Sequence, residues 1–161
     1  MEEINIDPTD IKLLEMLQRD ASLSNQALAE RIHVSPPTCL RRVKRLWDAG
    51  FIEREIAVLS PDKLAAVLDV GLTALVEISL DRQGVEWLDA FEARAVADDA
   101  VQQCYRVSPG PDFMVVVHVA DMPAYLALVQ RLFTQDANVR NVKAFFSVKR
   151  AKFTPKVLFA Q

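Results

Sequence analysis

Glycine is scarce in this chain, at 4 of 161 residues. Loops that wrap backbone N–H groups around a phosphate draw on clustered glycines, so a glycine-rich nucleotide-binding fold is disfavoured. Cysteine is scarcer still. Cys39 and Cys104 lie far apart and without the spacing of a zinc motif, which excludes a disulfide framework and suits a reducing cytoplasm. His33 and His118 are the only histidines, and neither has a metal-spaced partner, so no metal site is expected. No apolar run approaches the ~20 residues of a membrane helix. The longest, around Met114 and Val117, is broken by His118 and Asp121. The chain opens Met1-Glu2-Glu3, acidic where a signal peptide is basic. No Ser/His/Asp, Cys/His or paired-carboxylate arrangement is legible, which argues against an enzyme. What is present is 51% hydrophobic and 25% charged, the balance of a soluble globular protein of one domain or two small ones.

The net charge of -3 hides its distribution. Residues 1–60 carry 8 basic and 10 acidic side chains. Within them, residues 36–47 hold Arg41, Arg42, Lys44 and Arg45 and no acid. A local cluster matters more to a polyanion than the sum, because salt screens charges beyond ~8–10 Å.

The first half has helical periodicity. Asp7-Pro8 is a cap followed by a first-turn proline, and Ile11, Leu13, Leu14 and Leu17 form an apolar stripe. Ser24 caps a short second helix through Ile32, with Ala27, Leu28 and Ile32 inward. His33-Val34 is a turn. Ser35-Pro36 opens a third helix that runs to about Ala49 and ends at Gly50. Residues 51–59 then look extended, as a strand or hairpin. Ser60-Pro61-Asp62 marks a boundary, and 61–69 reads as a linker with a short helical turn. From Val70 to Leu80 the pattern alternates with period 2. Val85, Leu88, Phe91 and Ala95 make one helix face. Val101–Val107 and Phe113–Ala120 are strands around the turn Ser108-Pro109-Gly110-Pro111-Asp112. Asp121 caps a helix carrying Tyr125, Leu128, Val129 and Leu132, and 139–149 is a last strand. The order β-α-β-β-α-β is ferredoxin-like.

Projected at ~100° per residue, Thr38, Arg41, Arg42 and Arg45 share one arc of the third helix, flanked by Lys44. Leu40, Val43, Leu46 and Trp47 lie opposite, with Cys39 at the edge. Two helices joined by a short turn, the second bearing a cationic stripe, make a helix-turn-helix, and the strand after Gly50 supplies a wing. In a major groove an arginine can pair bidentately with guanine. Ser24, Asn25 and Gln26 at the start of the second helix, and Ser35 and Thr38 at the start of the third, suit phosphate contacts. The basic C-terminal residues Lys149, Arg150, Lys152 and Lys156 add a further candidate for DNA contact.

The segment Ser35-Pro36-Pro37-Thr38-Cys39-Leu40-Arg41-Arg42-Val43-Lys44-Arg45-Leu46, with Ala49-Gly50-Phe51-Ile52, resembles the recognition-helix region of the leucine-responsive/asparagine-regulator (Lrp/AsnC) family. Asp7-x-x-Asp10-x-x-Leu13-Leu14, Leu23-Ser24-x-x-x-Leu28-Ala29, Val76-Glu77-Ile78, Val107-Ser108 through Asp112-Phe113, and Asp121-Met122 to Tyr125 follow in the family's order. The resemblance implies an α+β chain: an N-terminal winged helix-turn-helix (1–60), a linker (61–69) and a RAM domain (70–161) that binds an effector and forms oligomers. It implies a cytoplasmic, nucleoid-associated transcription regulator of amino-acid-related genes. Its partners would be double-stranded DNA, an amino acid or related small molecule, and further copies of itself, from dimer to tetramer or octamer, with no membrane and no other cofactor. Ser108, Gly110, Asp112, Met122, Phe145, Phe146 and Ser147 match the family's effector pocket. Asp112 would accept from an α-ammonium group, and Met122 and Phe146 would contact the ligand's side chain.

Two positions depart from the family pattern. His33 stands where glycine is common in the inter-helix turn, and histidine tolerates the left-handed conformation better than most residues. In Ser108-Pro109-Gly110-Pro111 the glycine sits one place late between two prolines. That altered loop motivates an alternative, an architectural DNA-wrapping protein without an effector. A third possibility is an enzyme, or an enzyme's regulatory subunit, on the ferredoxin-like half, and the absent catalytic constellation counts against it.

Overall fold

The computed structural model describes residues 5–68 and 71–159. They fall into two units, one of residues 5–58 with 152–159 and one of residues 59–68 with 71–151.

The first unit begins with a reciprocal cap. Asp7 Oδ1 accepts from the N–H groups of Thr9 (2.8 Å) and Asp10 (2.9 Å), and Asp10 Oδ2 accepts from the Asp7 N–H (3.1 Å). This capping box starts α1 (Pro8–Leu17). Ser24 caps α2 (Asn25–Ile32) through the Ala27 N–H. His33 then takes φ 58°, ψ 46°, the left-handed conformation the sequence suggested, and turns the chain into α3 (Pro36–Asp48). Gly50 follows α3 with φ 76°. Leu13, Leu28, Ala29, Cys39 and Leu46 form the buried centre, ringed by Leu14, Leu17, Val43 and Ile52 among others.

One expectation about α3 is corrected. Cys39 is fully buried rather than marginal, and Leu40 is 59% exposed rather than packed. The inward seam runs Cys39, Val43, Leu46, a four-then-three spacing that rotates Leu40 onto the outer face. The strand expected over residues 51–59 is also absent, because this stretch pairs with no other strand among the described residues. An extended segment becomes a strand only with a ladder partner. The C-terminal segment contacts α1 instead: the Gln18 side-chain amide donates to the Val157 carbonyl (3.1 Å) and accepts from the Val157 N–H (2.9 Å).

The second unit opens with a full two-turn helix, α4 (Pro61–Leu68), where only a short turn was expected. Val70 lies outside the described residues. Strands β1 (Leu72–Leu80), β2 (Val101–Arg106), β3 (Phe113–Val119) and β4 (Val139–Phe146) form one antiparallel sheet in the order β2-β3-β1-β4. This is the ferredoxin-like order. Helices α5 (Val85–Val96) and α6 (Met122–Leu128) follow β1 and β3, and α6 continues as a π-helical run, Val129–Thr134. Asp121 caps α6 through the Ala124 N–H.

The period of 2 sends Ala74, Val76, Ile78 and Leu80 of β1 and Phe113, Val115, Val117 and Val119 of β3 into one core with Phe91, Ala95, Leu128, Leu132 and Phe133. Phe91 packs at a tilt against Phe113 and lies near-parallel to Phe133. Val85, expected on the inner face of α5, is 66% exposed, since it occupies the first position after the Gly84 cap. The opposite face of the sheet carries Leu75 beside Phe145 and Met114 beside Tyr105, with Val116 between. Leu75, Phe145 and Tyr105 are each more than 40% exposed. The strands are therefore apolar on both faces, and α5 and α6 pack on one of them.

The left-handed backbone at His33 yields a prediction. A side chain costs energy there that glycine does not. His33→Gly is expected to stabilise the first unit by about 0.5–1 kcal/mol and His33→Val to destabilise it. Thermal unfolding followed by Trp47 fluorescence in a Trp87→Phe background checks both.

Candidate functional site

The geometry of α3 divides its four cations into two pairs. Arg41 and Lys44 are exposed, and neither has a carboxylate partner among the described residues. Arg42 and Arg45 turn toward α1. Arg42 Nη1 donates to Asp7 Oδ2 (2.7 Å) and to Asp10 Oδ1 (2.9 Å), and Arg45 Nη2 donates to Asp10 Oδ2. The Asp10 side chain is fully buried, while those of Arg42 and Arg45 are 26% and 43% exposed. Arg42 Nε is buried with no acceptor among the described residues. The sequence placed Arg41, Arg42 and Arg45 on one stripe without acid. The acids are present, but on another helix.

These contacts follow from local structure. Asp10 falls one turn before Leu13 and Leu14 on the inner stripe of α1, so the capping box delivers a carboxylate into the α1–α3 seam. A carboxylate there is tolerated only when paired and hydrogen-bonded. Removing the arginines would leave that carboxylate buried and unpaired, which is destabilising. The Asp7 carboxyl is held below its ordinary value, first by the Asp10 N–H and then by Arg42. Arg42 is held above its ordinary range by the same two carboxylates. Asp7, Arg41, Arg42 and Arg45 line an open cavity of about 320 Å³ beside this cluster.

The helix starts are arranged around the same region. Ser35 and Thr38 hydroxyls hydrogen-bond each other (2.9 Å) and leave α3 without a side-chain cap. Pro36 and Pro37 carry no N–H and the Cys39 N–H donates to the Ser35 carbonyl (3.0 Å), so the Thr38 N–H is the first-turn donor left uncapped. The Asn25 amide donates to the Pro36 carbonyl (2.8 Å), tying the start of α2 to the start of α3. Ser24 is occupied as a cap, and Gln26 is exposed and reaches Glu30 (3.3 Å).

The seven candidate effector residues separate into two groups. Ser108, Gly110 and Asp112 lie in the turn beside the C-terminal end of β1. The Asp112 N–H donates to the Ile78 carbonyl (2.9 Å), its carbonyl accepts from Val107 (3.1 Å), and its Oδ2 accepts from the Leu80 N–H (2.7 Å). One oxygen of the proposed ammonium acceptor thus already closes the sheet end. Gly110 has φ 124°, a backbone only glycine adopts freely. Phe145, Phe146 and Ser147 lie at the N-terminal end of β1. Phe146 is opposite Ala74, Phe145 opposite Leu75, and the Ser147 N–H donates to the Thr73 carbonyl. Phe113, next to Asp112, is opposite Ile78. Four residues of strand separate the two groups, roughly 13 Å. Phe145 and Phe146 also point to opposite faces, with Phe146 packed edge-on against Tyr125 at 5.0 Å. Half-exposed Met122 lies one turn before Tyr125 on α6. A single sheet does not bring all seven residues together.

Sequence reasoning missed Asp7 and Asp10 as partners of α3. The available signal was an acid on the apolar stripe of α1 facing a helix with surplus arginines. Among the described residues, no group of three or more His, Cys, Asp or Glu side chains is placed to hold a metal ion, and no helix is long and apolar enough to cross a membrane.

Residues 6–53 match the family model for winged helix-turn-helix DNA-binding domains, and residues 73–157 match that for the Lrp/AsnC ligand binding domain. The chain is 34% identical over 149 residues to the DNA-binding transcriptional activator DecR of Escherichia coli K12, covering 92% of this chain and 95% of DecR. It is 34% identical to the leucine-responsive regulatory protein of Haemophilus influenzae, covering 92% of this chain and 87% of that protein. Among solved structures, the Neisseria meningitidis transcriptional regulator NMB0573 in complex with L-Met superposes with a TM-score of 0.80 at 30% identity. That match covers 96% of this chain and 97% of that one.

The cap of α1 makes acid stability measurable. A carboxylate whose folded-state pKa is depressed adds stability above its unfolded value, and that contribution is lost as pH falls through the folded pKa. The melting temperature of the first unit should therefore hold between pH 7 and 5 and fall below the ordinary aspartate value of 3.8. Asp7→Asn keeps a good cap and is expected to reduce that acid-side loss, read by Trp47 fluorescence in the Trp87→Phe background.

Proposed function

The chain belongs to the Lrp/AsnC family of DNA-binding transcription regulators, and from that premise we propose how its residues divide the work. The outer face of α3 enters the major groove. Arg41 and Lys44 are its free cations, with Leu40 beside them as an apolar contact. Ser35 and Thr38, the latter also through its uncapped N–H, face the phosphate backbone, as does Gln26 on α2. Arg42, Arg45, Asn25 and Ser24 hold that surface in shape. The observation that carries this reading is the exposure of Arg41 and Lys44 without acidic partners on a helix whose inner face is locked.

The second unit binds the effector and a second copy of the chain. The uncovered sheet face of Leu75, Met114, Tyr105, Val116 and Phe145 is the surface that pairs with that copy, because an apolar sheet face stays out of water in a stable assembly. Pairing also answers the separation of the seven effector candidates, since a cleft between copies can join the Asp112 end of one sheet to the Met122 and Phe146 end of another. The effector is an amino acid or a close relative. Its ammonium group would meet the remaining oxygen of Asp112, its carboxylate the loop N–H groups, and its side chain Met122, whose thioether adapts to shape. The L-methionine complex of the Neisseria relative supports this class of ligand. The targets are amino-acid-related genes, regulated in the cytoplasm at the nucleoid.

Two experiments test these assignments. Arg41→Ala should abolish the footprint on DNA upstream of the protein's own gene while leaving the assembly intact by light scattering. An unchanged footprint would remove α3 from the DNA interface. A thermal-shift screen against the proteinogenic amino acids and their 2-oxo acids should find one saturable shift, because a ligand at one hundred times its Kd stabilises the native state by ~2.7 kcal/mol. The shift should be lost in Met122→Ala. No shift from any compound would count against the effector class.

A further inference from the structure

We propose that Asp10 is a positioning residue that withholds Arg45 from DNA, and with Asp7 also withholds Arg42, so that α3 meets DNA with two working cations instead of four. The proposal rests on the assignment of α3 to the DNA interface. It goes beyond that assignment by identifying acids on α1 that restrain how strongly α3 binds DNA of any sequence.

Three observations carry it. First, the cluster is neutral: two guanidinium groups face two carboxylates, with Arg42 bonded to both acids and Arg45 to Asp10. Second, the anchor is the fully buried side chain of Asp10, which cannot swing out toward solvent, so the arginines must come to it. Third, the acids are fixed by the backbone. Asp7 also accepts two N–H groups of the α1 capping box and Asp10 accepts one, and a carboxylate anchored to the backbone does not follow a departing guanidinium.

The consequence is set by counterion release. Affinity for duplex DNA of any sequence falls with salt by a log–log slope of about -0.9 for each phosphate neutralised. Four working cations on α3 would make binding to bulk DNA strong and steeply salt-dependent. Two cations give a weaker, flatter background, and the preference for a true site rises because base contacts from Arg41 are unaffected. Asp7 and Asp10 thus limit non-specific binding while leaving the groove-facing residues free.

The test uses the full-length protein and a fluorescent 30-base-pair duplex of random sequence, with affinity measured by anisotropy between 50 and 200 mM salt. Asp10→Asn leaves Arg45 without a carboxylate while Arg42 keeps Asp7. The fall in affinity over this range should steepen by a factor of about 3 for one freed cation. Asp7→Asn with Asp10→Asn frees both and should steepen it by about 10. Asp48→Asn removes a charge from the far end of α3 without freeing a cation and should leave the slope at the wild-type value. Adding Arg45→Gln to Asp10→Asn should restore the wild-type slope. An unchanged or shallower slope in Asp10→Asn, with circular dichroism showing a folded protein, would overturn the proposal.

Where Asp10→Asn does not fold, Arg45→Gln alone decides. A withheld Arg45 predicts no change in slope, whereas loss of about 0.9 would mean that Arg45 already contacts phosphate. Failure of the underlying assignment looks different, since Arg41→Ala would then leave random-duplex binding unaltered whatever Asp10 does.

Discussion

A buried carboxylate is the constraint on which the first unit depends. Asp10 lies at 0% exposure on the inner stripe of α1, where an unpaired charge is intolerable. Its neutralisation dictates where Arg42 and Arg45 go, which fixes the seating of α3 against α1. That seating decides which residues of α3 are left outward. The same carboxylate also accepts the Asp7 N–H, so helix start, inter-helix packing and the outer face are one arrangement. The apolar contacts of Leu13, Leu28, Cys39 and Leu46 drive association of the helices, but they are non-directional. The ion cluster supplies the rotational setting.

The second unit depends on a different imbalance. Its strands are apolar on both faces, and its two main helices follow β1 and β3 onto one of them. Val76, Ile78, Val115 and Val117 fill the core, while Leu75, Val116 and Phe145 remain on the other face. Sheets of this kind are completed by another layer. The register leaves the candidate effector residues at the two ends of β1 as well. Assembly and ligand binding are therefore linked in this account, since the surface that needs covering and the cleft that needs closing call for the same partner, a second copy.

Much of this was legible in the sequence because the signals were local. Caps at Asp7, Ser24 and Asp121, the left-handed His33, the stop at Gly50 and the alternation along β1 each specify a conformation within a few residues. The expected order of strands and helices follows from them, and the two matched families agree with it. What was not legible depended on partners distant in sequence. Helical periodicity placed Leu40 inward by averaging over α3, whereas the real seam is set by which residues meet α1 and α2. An extended run after Gly50 reads as a strand, yet among the described residues it pairs with no other strand. Above all, a charge count along α3 cannot see acids 32 and 35 residues away. The effector candidates were found by position in a pattern. Only the register showed that they lie at opposite ends of one sheet.

The central claim is that the Asp7/Asp10–Arg42/Arg45 cluster persists when α3 engages DNA. Guanidinium NMR of arginine-labelled protein, recorded free and with a saturating duplex, tests this most directly. A guanidinium bonded to a buried or backbone-anchored carboxylate rotates slowly and gives resolved Nη–H signals. The account predicts that the Arg42 and Arg45 signals are resolved in the free protein and unmoved by DNA, while those of Arg41 shift. Displacement of the Arg42 and Arg45 signals on binding would show that the cluster opens to contact DNA, and would contradict the account.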